Sequence, residues 1–188
     1  MLSTAVPPHT ARQFLDEPAL SAAVNQIADA IVAKHGDAAS IALIGIPSRG
    51  VELASRLAKA VSARSGKTPF RGAIDISMHR DDMNARRLVH AVQPTSLPAS
   101  LDHATVILVD DVLHSGRTCR AAMDALSSFG RPQRIEYAVL IDRGLRELPI
   151  AADYTGHAVS TLSSERVFVR LKPLDEVEGV WIEGKTQR

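Results

Sequence analysis

The sequence predicts an α/β protein with a mostly parallel central sheet flanked by helices, and three observations support this. Short apolar runs alternate with segments of helical periodicity. The runs are nearly unbroken in Val, Ile, Leu and Ala, as strands covered on both faces are. Three polar turns each follow directly on one of these runs, where ligand loops lie in such sheets.

The first helix is expected to begin near Asp16, a capping residue with Pro18 in the first turn, and to stop before Gly36. Leu20, Val24, Ile27, Ala28 and Ile31 fall on one stripe at helical spacing, while Asn25, Gln26 and Asp29 face away. Ser40 to Ile46 reads as a buried strand and Val51 to Ala63 as a helix. Ala73 to Met78 is expected to be a second strand, leading into His79-Arg80-Asp81-Asp82. Thr105 to Val109 is a third strand, with a helix from about Gly116 to Phe129. Arg134 to Ile141 is a fourth and Arg166 to Leu171 a fifth.

All 188 residues read as one domain, and 45% hydrophobic content is enough to fill its core. Residues 1–15 are expected to form a flexible N-terminal segment. A formal net charge of +1 argues against a generally basic nucleic-acid surface. Met1 to Thr10 lacks the basic start and apolar stretch of a signal peptide, and no apolar run approaches the ~20 residues that cross a bilayer. The single cysteine, Cys119, has no internal disulfide partner, which fits a reducing compartment. A cytoplasmic protein is the expectation. Cys119 itself reads as a small packing residue, and Trp181 as an edge plug.

The three turns are Pro47-Ser48-Arg49-Gly50, Asp110 to Thr118, and Asp142-Arg143-Gly144. The middle one carries the chemistry. In Ser115-Gly116-Arg117-Thr118 a strand hands over to a helix, whose first N–H groups have no internal partner and suit a phosphate. Gly116 allows close approach, Ser115 and Thr118 add hydroxyl donors, and Arg117 adds charge. The preceding Asp110 and Asp111 repel a phosphate but accept hydrogen bonds from sugar hydroxyls, directly or through Mg²⁺ and water. A phosphate cradle beside a diol reader describes a phosphorylated ribose. The Walker pattern and the three-glycine dinucleotide fingerprint are both absent. Residues 80–104 are long for a connection and read as a lid loop, with Arg80, Arg86 and Arg87 bringing charge over an anion. Asp81 and Asp82 read as salt-bridge partners of those arginines, with Mg²⁺ binding as the alternative.

GIPSRG, DISMHRDD, VILVDDVLHSGRT, FGRP and AVLIDRGLRELPIAADY follow one another in the order found in one family. On these motifs the chain, from about Leu20 to Ile182, resembles the type I phosphoribosyltransferases, and within them the PyrR pyrimidine-operon regulators and uracil phosphoribosyltransferases. The resemblance implies the type I phosphoribosyltransferase fold, with a flexible lid and a small hood. It implies uracil and phosphoribosyl pyrophosphate as substrates, UMP and pyrophosphate as products, Mg²⁺ as cofactor, and a homodimer or larger assembly. By resemblance, Asp110 and Asp111 take the ribose hydroxyls and the metal, and Val112, Leu113, His114, Ser115, Gly116, Arg117 and Thr118 surround the 5′-phosphate. Ser48, Arg49 and Gly50 match the pyrophosphate loop, with Arg49 meeting the leaving group and Gly50 easing the turn. Arg143 and Val167 match positions near the nucleotide.

The chain departs from the family at several positions. His114 stands where the PyrR motif has tyrosine and purine-using relatives have aspartate, so a purine or orotate remains an alternative base. RNA-binding members display Thr, Arg, His and Lys where this chain has Asn25, Gln26, Asp29, Leu145, Ala151 and His157. Only Lys34 keeps its charge. Loss of these phosphate contacts makes attenuator-type RNA binding the lesser expectation.

Overall fold

A computed structural model of the chain describes residues 11–77, 79, 95–98 and 100–184. Five parallel strands form the main sheet in the order β3-β2-β4-β5-β6: β2 (Ile41–Gly45), β3 (Phe70–Ala73), β4 (Thr105–Leu113), β5 (Arg134–Asp142) and β6 (Tyr154–Ala158). A smaller antiparallel sheet is ordered β1 (Arg12–Leu15), β8 (Gly179–Gly184), β7 (Glu165–Arg170). Helix α1 (Glu17–His35) and helix α2 (Arg49–Ser65) cover one face of the main sheet, and α3 (Arg117–Leu126) the other.

Helix α1 follows its local signals. Asp16 Oδ1 accepts from the Ala19 N–H at 2.9 Å, and Gly36 ends the helix at φ 66°. The expected stripe is buried, and it packs with Leu53, Leu57 and Val61 of α2 on the Leu43, Ile107 and Val109 side of the sheet. On the other side Val106 and Leu108 meet Ala122, Ala125 and Leu126 of α3. Every side chain from Val106 to Val109 is at most 1% exposed. Burial of this kind contributes roughly 1.5–3 kcal/mol per large aliphatic side chain and holds β4 at the centre.

Four expectations are corrected. The strand expected at residues 73–78 lies at Phe70–Ala73 instead, because its partner β2 ends at Gly45, which pairs with Ala73. Beyond that point Asp75 Oδ1 captures the Ser77 N–H at 2.8 Å and turns the chain away, while Met78 lies outside the described residues. The fifth strand exists at Glu165–Arg170 but belongs to the second sheet. Arg12–Leu15, expected to be irregular, is a strand tied to β8. Trp181, expected at an edge, is on the central strand of the small sheet and lies over Gly179. The lid residues 80–94 and 99, with Arg80, Asp81, Asp82, Arg86 and Arg87, lie outside the described residues. No helix among the described residues is long and apolar enough to cross a membrane.

Candidate active site

Strands β2, β4 and β5 are neighbours in the sheet, so the turns that follow them open on one side. Ile46 N–H bonds to Val109 O (2.9 Å) and Arg143 N–H to Leu113 O (3.0 Å), which ties the turns together. The three sequence segments therefore meet.

The acids lie inside β4, which runs on to Leu113, rather than after it. Successive strand residues point to opposite faces, and the two carboxylates separate accordingly. Asp110 is 6% exposed, and its Oδ2 accepts from the Tyr137 hydroxyl at 3.2 Å. Its Oδ1 accepts from the Asp111 N–H at 2.9 Å. Asp111 is half-buried, and its Oδ1 takes the Val112 N–H at 3.0 Å. Burial first, then the neighbouring charge of Asp111, push the Asp110 carboxyl well above its ordinary range. Burial raises Asp111 as well, against the pull of Asp110, of the Arg49 charge and of its own amide bonds. Asp110 is thus the buried, braced member of the pair, and Asp111 is the more exposed one.

From Val112 to Thr118 the chain lines a cavity of about 190 Å³, with Tyr137 at its wall. Gly116 starts α3 at φ 93°, a conformation that disfavours side chains. A Cβ there would also meet Ile150 and Leu148 at 3.2–3.4 Å, so the glycine is required from beneath the loop as well. The loop is fixed from that direction, since Ser115 O accepts the N–H groups of Glu147 (3.1 Å) and Leu148 (3.0 Å). Of the first-turn amides of α3, the Arg117 N–H reaches Ser115 Oγ at 3.4 Å, and helix starts offer the others no internal acceptor. His114 is exposed and Ser115 and Thr118 half-buried. Partial burial, then the charge of Arg143, hold the His114 imidazole below its ordinary pKa. Arg117 instead pairs with Glu147 (2.8 Å), so its charge is shared with the 147–150 segment.

Three of the expected site residues have structural contacts of their own. Arg143 is 6% exposed, and its guanidinium is committed to Thr161 Oγ1 and the carbonyls of Leu162 and Glu165 at 3.0–3.1 Å. It braces the loop before β7. Val167, on β7, packs against the α1–α2 core, and its strand touches β4. Gly50 has no left-handed backbone; it lies in α2, where a Cβ would come within 2.3 Å of Val109 O. It serves close approach of the helix to β4 rather than a turn. Ser48 caps α2 without a side-chain bond, after a cis Pro47–Ser48 peptide. Cys119 is 3% exposed, and burial pushes its thiol up to about 12, which makes it a packing residue.

Sequence reasoning missed Arg146 and Asp175. Arg146 joins Asp142 Oδ2 (2.5 Å), Ile150 O (2.9 Å) and His114 O (3.0 Å), and so knits the turn after β5 to the loop after β4. Asp175 binds Arg49 in a fork, with Nε to Oδ2 at 3.0 Å and Nη2 to Oδ1 at 2.7 Å. Arg146 stands in the quoted DRGLRELP motif and was open to notice. Asp175 carries no local signal.

Among the described residues no three Asp, Glu, His or Cys side chains converge on a metal position. With Asp110 turned inward, the protein offers Asp111 as the accessible donor. That set fits an ion such as Mg²⁺, which keeps much of its water and is shared with ligand oxygens.

Comparison with known proteins agrees with this geometry. The phosphoribosyl transferase domain model matches residues 10–172. "Bifunctional protein PyrR" of Leifsonia xyli subsp. xyli is 46% identical over 177 residues, covering 92% of this chain and 96% of that protein. The protein of that name from Chloroflexus aurantiacus is 47% identical over 171 residues, covering 91% and 94%. Among solved structures, HGPRT-ase from Leishmania tarentolae in complex with GMP is similar at TM-score 0.72 and 18% identity, covering 95% of this chain and 99% of that one. Hypoxanthine phosphoribosyltransferase from Trypanosoma cruzi in complex with IMP gives TM-score 0.70 and 14% identity, covering 96% and 94%. At such identities the structures speak for the fold alone. The chain belongs to the phosphoribosyltransferases of type I, and within them to the PyrR family.

Proposed function

We propose that this chain transfers the phosphoribosyl group of phosphoribosyl pyrophosphate to uracil, giving UMP and pyrophosphate. The observation that carries the reading is the order along one stretch of chain: Asp110 and Asp111 near the carboxyl end of β4, followed directly by the loop that lines the cavity and opens α3. The family supports it. The α3 loop holds the 5′-phosphate, and Asp111 accepts from the ribose hydroxyls with Asp110 braced behind it. Bond breaking at ribose C1 leaves positive charge on the sugar and negative charge on the departing pyrophosphate. A carboxylate near the sugar and Arg49 near the leaving group are placed where those charges grow. Uracil N1 takes the vacated position and gives up its proton. Among the described residues no imidazole or carboxylate is dedicated to that proton, which passes to water, and positioning supplies most of the acceleration. Asp111 would hold Mg²⁺ together with ligand oxygens, and the ion would supply positive charge to offset that of the pyrophosphate.

Turnover assays with uracil, hypoxanthine, guanine and orotate test the base. Uracil is expected to give the highest kcat/KM; a purine or orotate in first place overturns the assignment.

RNA attenuation is not proposed for this chain. Asp29 and Asn25, on the outer face of α1, both bind Arg64 of α2. Lys34 is held by Glu136 at 2.8 Å and Asp153 at 3.6 Å. Arg64 and Lys34 are thus both paired with acids.

A further inference from the structure

Arg49 is the first residue of α2, and the carboxylate that holds it comes from another layer of the molecule, between β7 and β8. Asp175 has a 2% exposed side chain and accepts four hydrogen bonds: two from Arg49, one from Arg170 Nη1 at 3.1 Å and one from the Leu171 N–H at 2.9 Å. Its own N–H bonds to Leu171 O at 2.9 Å, so the acceptor is rigid before Arg49 meets it. A fork of this kind fixes both the plane and the rotation of a guanidinium, whereas a single contact fixes neither.

The fork uses the side edge of the guanidinium, Nε and Nη2. The end edge remains, and Nη1 has no partner among the described residues. The Arg49 side chain as a whole is 23% exposed, so the fork does not seal it from solvent.

We propose that Asp175 is a positioning residue that holds Arg49 by its side edge, keeping the end edge turned to the pyrophosphate. This rests on the reading that Arg49 meets pyrophosphate, and the test separates the two. Binding of magnesium pyrophosphate is measured by calorimetry, and KM and kcat for phosphoribosyl pyrophosphate are measured alongside. The proteins are wild type, Arg49→Gln, Arg49→Lys, Asp175→Asn and the Arg49→Gln/Asp175→Asn double variant. Asp175→Asn places an NH₂ group against an arginine donor and is expected to weaken pyrophosphate binding about tenfold. Arg49→Lys keeps the charge without the fork, at a site where lysine fits, and is expected to lose as much. The double variant is expected to be no worse than Arg49→Gln alone, because both changes remove one arrangement.

If Arg49→Gln alone leaves binding unchanged, the assignment of Arg49 to pyrophosphate fails. If Arg49→Gln weakens binding but Arg49→Lys binds as wild type, or the Asp175 and Arg49 losses multiply, Asp175 has no positioning role. Should Asp175→Asn not fold, the comparison of Arg49→Lys with Arg49→Gln still decides.

Discussion

The Tyr137 hydroxyl donates to Asp110 Oδ2 across the β4–β5 pair, 3.2 Å away and in the interior. Tyr137 lies opposite Leu108, two residues before Asp110, so the contact is the diagonal one between same-face residues. It explains why two acids in sequence do not act as equals. One is an internal strut bonded to Tyr137; the other is half-buried and open to solvent on its own side of the strand.

Asp110→Asn should therefore be tolerated by the fold. The amide oxygen takes the Asp111 N–H, and the amide NH₂ donates to the Tyr137 oxygen. Because the folded pKa is raised above the ordinary 3.8, wild type loses stability as pH climbs from that value through the folded one. The expected result is a Tm for Asp110→Asn at or above wild type at pH 7, with the advantage gone near pH 4. Tyr137→Phe strands Asp110 Oδ2 and should cost about 1–3 kcal/mol in urea unfolding.

Asp111→Asn should leave Tm within about a degree and lower kcat/KM by about 10²-fold or more, since it removes the accessible sugar acceptor. The double Asp110→Asn/Asp111→Asn variant should be folded by circular dichroism and inactive. Near-normal turnover would show that neither acid reads the ribose.

Gly50→Ala tests how closely α2 must approach β4. Its Cβ would sit 2.3 Å from Val109 O, a backbone atom that cannot step aside. Overpacking of this kind costs about 1–3 kcal/mol. The helix start carries Arg49, so pyrophosphate affinity should fall further than the loss of Tm explains. Unchanged affinity in a folded variant would contradict the close-approach role.

At the opposite end of the sheet, Glu136 is gripped by Lys34 (2.8 Å), His35 (2.8 Å) and Tyr154 (2.6 Å). Burial pushes its carboxyl up, but bonds from Lys34, Tyr154 and His35 outweigh it and bring the pKa from 4.5 to about 2. The folded value is the lower one. The stabilisation is present above the ordinary value and is lost as pH falls toward 2, about 3 kcal/mol in all. Glu136→Gln should flatten the acid limb of a stability–pH curve while lowering stability at pH 7. An unaltered slope between pH 4.5 and 2 would rule the linkage out.

A gel shift with a pyrimidine-operon leader RNA, with and without UMP, should show no UMP-dependent band. Asp29→Ala frees Arg64 from its exposed pair and should change stability by under about 1 kcal/mol. Tight binding by wild type would show that the paired outer face of α1 does not prevent RNA recognition.

What the sequence by itself determined was everything written in local periodicity and turn chemistry. Asp16 and Gly36 bound α1, its stripe is the buried one, and the apolar runs at 41–45, 105–109 and 134–141 are neighbouring parallel strands. Ser115 to Thr118 sits at a helix start, as the strand-to-helix turn in the sequence requires. Tertiary structure decided the rest. Tyr154–Ala158 is a strand because β5 lies beside it, not because its own residues insist. Asp110 turns inward because Tyr137 waits on that face, and Arg117 pairs with Glu147 from a distant turn. Arg49 answers to Asp175, 126 residues away. Caps and periodicities act over a few residues and leave a trace in sequence, whereas a bond between distant side chains exists only once chain topology has brought two layers together.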